Sequence, residues 1–229
     1  MGMMAAYGGQ ASVPPPAPPA QEQLATIDET IPYRKSDDYF IPRKGGKLWE
    51  PDRFPMQALK GYAEGIAEVV ARGHLDPKVA DLMLANALVE GRHHTDFGLN
   101  ETWKDKKGVE HPNYDKNSRA HQELVVPKSA ELEKAAEAQG LLNYDNYQEP
   151  VIAGMRAAIH MGLKARDAQR RGFDNPLKAV ELWNGTGADA RRHASRVARA
   201  HELLSHPENQ PIRNAFSQFY QRRWAELHK

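Results

Sequence analysis

A mainly helical α+β fold is what this sequence of 229 residues predicts, and three observations carry the prediction. Apolar residues recur at steps of three and four over most of the chain from Met56 onward, the period of helices with one buried face. Asp76-Pro77 and Asn175-Pro176 each place an N-cap side chain before a first-turn proline, a helix-start signal. Only residues 95–127 lose the period, and they contain turn chemistry such as Lys106-Lys107-Gly108 and His111-Pro112-Asn113. The expected architecture is six or seven helices with a small irregular β region inserted early, in a domain over residues 51–229. An extended or disordered arm over residues 1–50 precedes it.

The arm is read from composition. Pro14, Pro15, Pro16, Pro18 and Pro19 stand among small and polar residues up to about position 26, too little apolar surface to offset chain entropy. Tyr33, Tyr39, Phe40 and Trp49 then alternate with charges and prolines, as in a segment that lies on a partner or on its own domain. Met56, Leu59, Ala63, Ile66 and Val70 give the first helix, stopped at Gly73. The segment from Pro77 through Val79 to Val89 is apolar nearly all round, so it predicts a helix inside the core, ending at Glu90-Gly91. A helix is expected near 129–139, and a longer one from Asn146, with Glu149 completing a capping box, to Gly172. Asn175-Pro176 opens another that ends at Trp183-Asn184-Gly185. Two more follow at about 188–205 and 211–227, with Trp224 as a core residue of the last.

Bulk properties remove several function classes. The 31 basic and 30 acidic residues leave a net charge of +1, so no global field calls for nucleic acid. There is no cysteine, which removes disulfides, thiol catalysis and thiolate-bound metal together. No stretch approaches the roughly 18 apolar residues of a membrane span, and the first residues have neither the basic nor the apolar region of a secretory signal. The chain is therefore expected to be made in the cytoplasm and to act elsewhere only by another route, such as lysis or delivery by a virus particle. His93, His94 and Asp96, with His74 or His111, are a conceivable metal set, but adjacent loop histidines diverge and no His-Glu-x-x-His helix occurs. No metal and no cofactor are expected. Arg191, Arg192, Arg196 and Arg199 predict a solvated basic face with one arginine turned inward.

Glu90 is the residue that carries chemistry. A carboxylate at the end of an apolar helix loses hydration and meets the negative end of the helix dipole, and both favour its neutral form. A carboxyl that stays protonated can give its proton to a glycosidic oxygen. Glu90 is followed by a loop and Phe97-Gly98-Leu99-Asn100, and far downstream by Trp183-Asn184-Gly185-Thr186-Gly187 and His193-Ala194-Ser195-Arg196-Val197. In this order the segments resemble the soluble lytic transglycosylases, which share the goose-type lysozyme fold. The resemblance spans roughly residues 54–205. It implies a lysozyme-like domain with Glu90 as acid/base, and Phe97, Gly98, Leu99, Asn100, Trp183, Asn184 and His193 as residues that bind the glycan. Gly91 stands where that family has a serine, and Trp183 and His193 stand where it has tyrosines.

The implied substrate is the glycan strand of peptidoglycan, cut after N-acetylmuramic acid. Two mechanisms remain open. One uses Glu90 alone and ends in a 1,6-anhydro sugar; the other is a hydrolytic muramidase, with Asp96 or Asp105 held ~6.5–9.5 Å from Glu90 to activate water. Asn184 is either a hydrogen-bonding partner of the sugar N-acetyl group or a left-handed residue ending its helix. A lysozyme-like domain with a proline-rich arm fits a bacteriophage protein, virion-associated or released at lysis, whose arm binds other virion proteins. The alternative is a structural or ejection protein of the virion that keeps the lysozyme-like module with little or no activity.

Overall fold

The computed structural model describes residues 46–48, 56–90, 102–104, 106–112, 130–140 and 150–229. Among them the fold is mainly helical, with eight α-helical segments: α1 (Met56–Ala71), α2 (Pro77–Ala80), α3 (Met83–Glu90), α4 (Ala130–Ala138), α5 (Pro150–Arg170), α6 (Pro176–Trp183), α7 (Ala188–Leu203) and α8 (Gln210–Leu227). One antiparallel pair, β1 (Thr102–Lys104) and β2 (Glu110–Pro112), lies between α3 and α4, with Trp103 opposite His111. The caps read from sequence form as expected. Asp76 accepts from the Lys78 N–H at 2.8 Å and Asn175 from the Leu177 N–H at 2.9 Å, each before a proline whose missing N–H is no loss there.

Two expectations are corrected. The single helix expected from Pro77 to Glu90 is two, because the chain turns at Asp81 and Leu82 before α3 begins. An all-apolar stretch gives no period by which such a break can be seen, whereas a long-range pair marks it: Asp81 Oδ2 lies 2.6 Å from His201 Nε2 on α7. Trp224 is half-buried rather than core. It stacks on His228 at 4.2 Å between ring centres, on a helix whose buried residues include Ile212 alone. α5 is described from Pro150, and its expected cap pair, Asn146 and Glu149, lies outside the described residues.

α1 and α5 make the largest helix–helix contact, and small residues make it possible. A Cβ built on Gly61 would sit 2.5 Å from Pro150 Cβ, and one on Gly65 would sit 2.6 Å from the Met155 nitrogen and closer still to the Val151 carbonyl. From the other side, Gly154 rests against the Tyr62 carbonyl. At Gly65 and Gly154 the two backbones touch with no side chain between them, which seats Tyr62 beneath α3.

α8 closes over α1 through a buried carboxylate. Glu68 Oε1 accepts from Arg223 Nη2 at 2.7 Å and Nε at 3.2 Å, while Oε2 pairs with Arg72 at 3.3 Å. Arg72 also donates to the Gln139 carbonyl beyond α4, so one carboxylate ties three helices together. At the α7–α8 junction, Asn209 is buried and accepts from the Leu48 N–H at 2.7 Å. Its amide donates to the Gly46 and Leu203 carbonyls at 2.9 and 3.0 Å. Residues 46–48 therefore lie on the helical domain, with Leu48 packed against its core. Removing this side chain deprives three backbone groups of partners. Asn209→Ala is expected to cost about 2–3 kcal/mol, read as a lower urea midpoint, and to expose the Gly46–Leu48 backbone to faster protease cleavage.

Candidate functional site

α3 is short, and every residue from Met83 to Val89 is buried. Asn86 is fully buried among them, while the Glu90 side chain keeps 22% of its accessible surface. Asn86 and Glu90 are four residues apart, so they share one face of α3. That face meets α7.

α7 arrives there because of the turn that precedes it. α6 ends at Trp183, with Asn184 as its C-cap (φ −94°, ψ 13°) rather than in the left-handed conformation considered from sequence. The chain then passes through Gly185 and Gly187 at φ 99° and 98°, which side chains beyond glycine rarely adopt. From there α7 presents His193, Val197 and Ala200 to the core.

His193 is 4% exposed, and its Nε2 lies 3.0 Å from Asn86 Oδ1 and 3.3 Å from Glu90 Oε1. The proximity to Glu90 has the geometry of an ion pair, yet burial and, secondarily, the nearby Arg196 guanidinium push the imidazole down to about 4. Burial governs here, so at neutral pH His193 is a neutral ring and the contact to Glu90 is that of a neutral donor with a carboxyl group. From below, the buried Tyr62 hydroxyl points to the Met83 carbonyl at 3.5 Å. Burial first, and the charge of Glu90 second, raise the Tyr62 phenol far above its ordinary range, so it stays protonated. Glu90 is thus a partly exposed carboxyl with neutral, buried polar groups beneath it. That arrangement suits proton transfer on the exposed side.

The residues expected to accompany Glu90 are placed unequally. His193 meets it and is buried beside it. Trp183 is half-buried and turns to α5, its ring edge-on to His160 with centres 4.8 Å apart. Asn184 is exposed at the end of α6. Phe97, Gly98, Leu99 and Asn100 lie outside the described residues, as do Gly91, His93, His94, Asp96 and Asp105. A groove between α2, α5 and α6, lined in part by Asp76, Gln169, Phe173 and Asn175, contains none of the candidate residues. Among the described residues no cluster of three or more histidines and carboxylates forms a metal site, and no helix is long and apolar enough to cross a membrane. Of the four arginines on α7, Arg192 is buried and Arg191 exposed.

Sequence reasoning missed Asn86 and Tyr62. The signal for Asn86 was present, since an amide one helical turn before Glu90 inside an otherwise apolar run has no packing reason to be there.

Buried His193 and half-buried His160 make stability depend on pH. His160 is also pushed down to about 4, by burial and then by Lys164. The unfolded chain, with histidines near 6.5, binds more protons than the folded one between about pH 6.5 and 4. Their contribution is therefore intact above about pH 6.5 and drains as pH falls towards 4. His193, the more deeply buried, accounts for on the order of 3 kcal/mol. Urea unfolding at pH 7 and pH 5 should show a steep loss, and His193→Gln should flatten that slope; an unchanged slope would refute the assignment.

No family model, no curated protein and no solved structure matches the chain.

Proposed function

We propose that this protein cleaves the glycan strands of peptidoglycan as a lytic transglycosylase of lysozyme-like fold, with Glu90 as acid and then base. The observation that supports the reading is the placing of Glu90 at the end of the buried α3, partly exposed and 3.3 Å from the neutral imidazole of His193. In the proposed reaction the Glu90 carboxyl gives its proton to the glycosidic oxygen as the bond after N-acetylmuramic acid breaks. The resulting carboxylate takes the proton of the sugar's 6-hydroxyl as that oxygen closes on the anomeric carbon. Glu90 ends protonated, ready for the next turnover, and no water is consumed. Asn184, exposed beyond α6, is proposed to bind an N-acetyl group, with Trp183 and the Phe97–Asn100 segment in the glycan cleft. The proline-rich residues before the Asn209 clamp are proposed to engage virion proteins.

Incubation with purified peptidoglycan, followed by mass spectrometry of the released muropeptides, tests this. Anhydro ends are expected. Reducing ends in their place would make the enzyme a muramidase. No release at all, beside an active control lysin, would reject the enzyme and leave a structural virion module.

A further inference from the structure

We propose that Asn86 and His193 form a positioning pair that holds Glu90 Oε1 in a fixed place, an inference that rests on the reading of Glu90 as the acid/base. A single ring nitrogen, His193 Nε2, faces two oxygens, Asn86 Oδ1 at 3.0 Å and Glu90 Oε1 at 3.3 Å. A lone pair on that nitrogen would oppose the lone pairs of both oxygens, so the geometry selects the tautomer with its proton on Nε2. At 4% exposure the ring is shielded from water, which therefore does not compete for that proton. The proton thus stays directed at the pair of oxygens, and the carboxylate has a donor that does not move.

Asn86 has no structural need to be an asparagine. It is fully buried in an apolar helix, and among the described residues its Nδ2 has no hydrogen-bond partner. A buried unpaired N–H lowers stability, and a leucine, branched at Cγ as asparagine is, would remove that loss. What leucine lacks is the oxygen that fixes the imidazole. Gly91 can offer Glu90 no side-chain donor, and the His193 N–H supplies one from the opposite helix.

The experiment has two arms on the full-length protein. Long-range proton–nitrogen NMR on the 15N-labelled chain reads the tautomer directly. The expected result is a protonated Nε2 and an unprotonated Nδ1 for His193, with an Nε2–H resonance that moves in both Asn86→Leu and Glu90→Gln. A proton on Nδ1, or a resonance indifferent to Glu90→Gln, would overturn the pair. Turnover of peptidoglycan is the second arm. Asn86→Leu should lower kcat ~10-fold with KM within ~2-fold and the melting temperature unchanged or raised, and His193→Leu should lower kcat ~100-fold. His193→Gln, which can present an N–H in the same place, should stay within ~3-fold of wild type. A lower melting temperature with unchanged kcat in Asn86→Leu would make the residue structural and reject the proposal. Absence of turnover by the wild type would instead reject glycan cleavage, and the tautomer arm would then decide the positioning pair by itself.

Discussion

Glu90→Gln is expected to remove at least ~10³-fold of the activity on peptidoglycan while leaving the fold intact. The amide has the shape of the acid but neither gives up nor takes a proton at the glycosidic oxygen. Loss of a general acid costs ~10²–10⁴-fold, and in the proposed reaction one group serves both halves, which puts the loss in the upper part of that range. Stability should hold, because the side chain is partly exposed and glutamine still offers an oxygen to His193 Nε2. Muropeptide release and a thermal melt on the same preparation check both halves. Full activity in Glu90→Gln would end the assignment of this residue as the acid.

Gly65→Ala is expected to produce the largest loss of stability of any glycine-to-alanine change among the described residues. On an exposed helix the change from glycine to alanine gains about 1 kcal/mol. At Gly65 the new carbon would stand on the Val151 carbonyl and 2.6 Å from the Met155 nitrogen, and neither obstacle is a side chain that can swing away. Relief requires α1 and α5 to part. That would unseat Tyr62 and the contact of Gly154 with its carbonyl. Overpacking of this kind costs ~1–3 kcal/mol and more where the backbone must move, so a net loss of about 3 kcal/mol is expected. For a chain of this size that is a melting temperature lower by roughly 6–12 °C. Gly73→Ala is an instructive contrast. It meets open space, and its cost comes from its φ of +72° alone.

How much of this was legible beforehand follows from the range of the forces involved. Helix starts at Asp76-Pro77 and Asn175-Pro176 are local chemistry, readable within four residues, and they formed as expected. Pairings across the fold were not readable. Nothing near Trp183 announces that His160 will take its edge, and nothing near Asn86 names a histidine 107 positions away. The break at Asp81 was hidden for a different reason. Where every residue is apolar, periodicity carries no information, and the turn depends on a partner, His201, supplied by α7. The resemblance to transglycosylases pointed to His193 as a sugar contact. The structure places it buried beside Glu90, a position that residue type cannot convey.

The backbone contact between α1 and α5 also bears on motion. Helices that meet through side chains can slide past one another, because rotamers absorb small shears. Helices that meet carbonyl against glycine have no such lubricant, and a step along either axis drives a main-chain atom into another. α1 and α5 must therefore travel as one body, carrying Tyr62 with them. Relative motion among the described helices is left to interfaces that side chains make, where rotamers can absorb a shear. The tightness of one interface thus shifts any movement onto the looser ones.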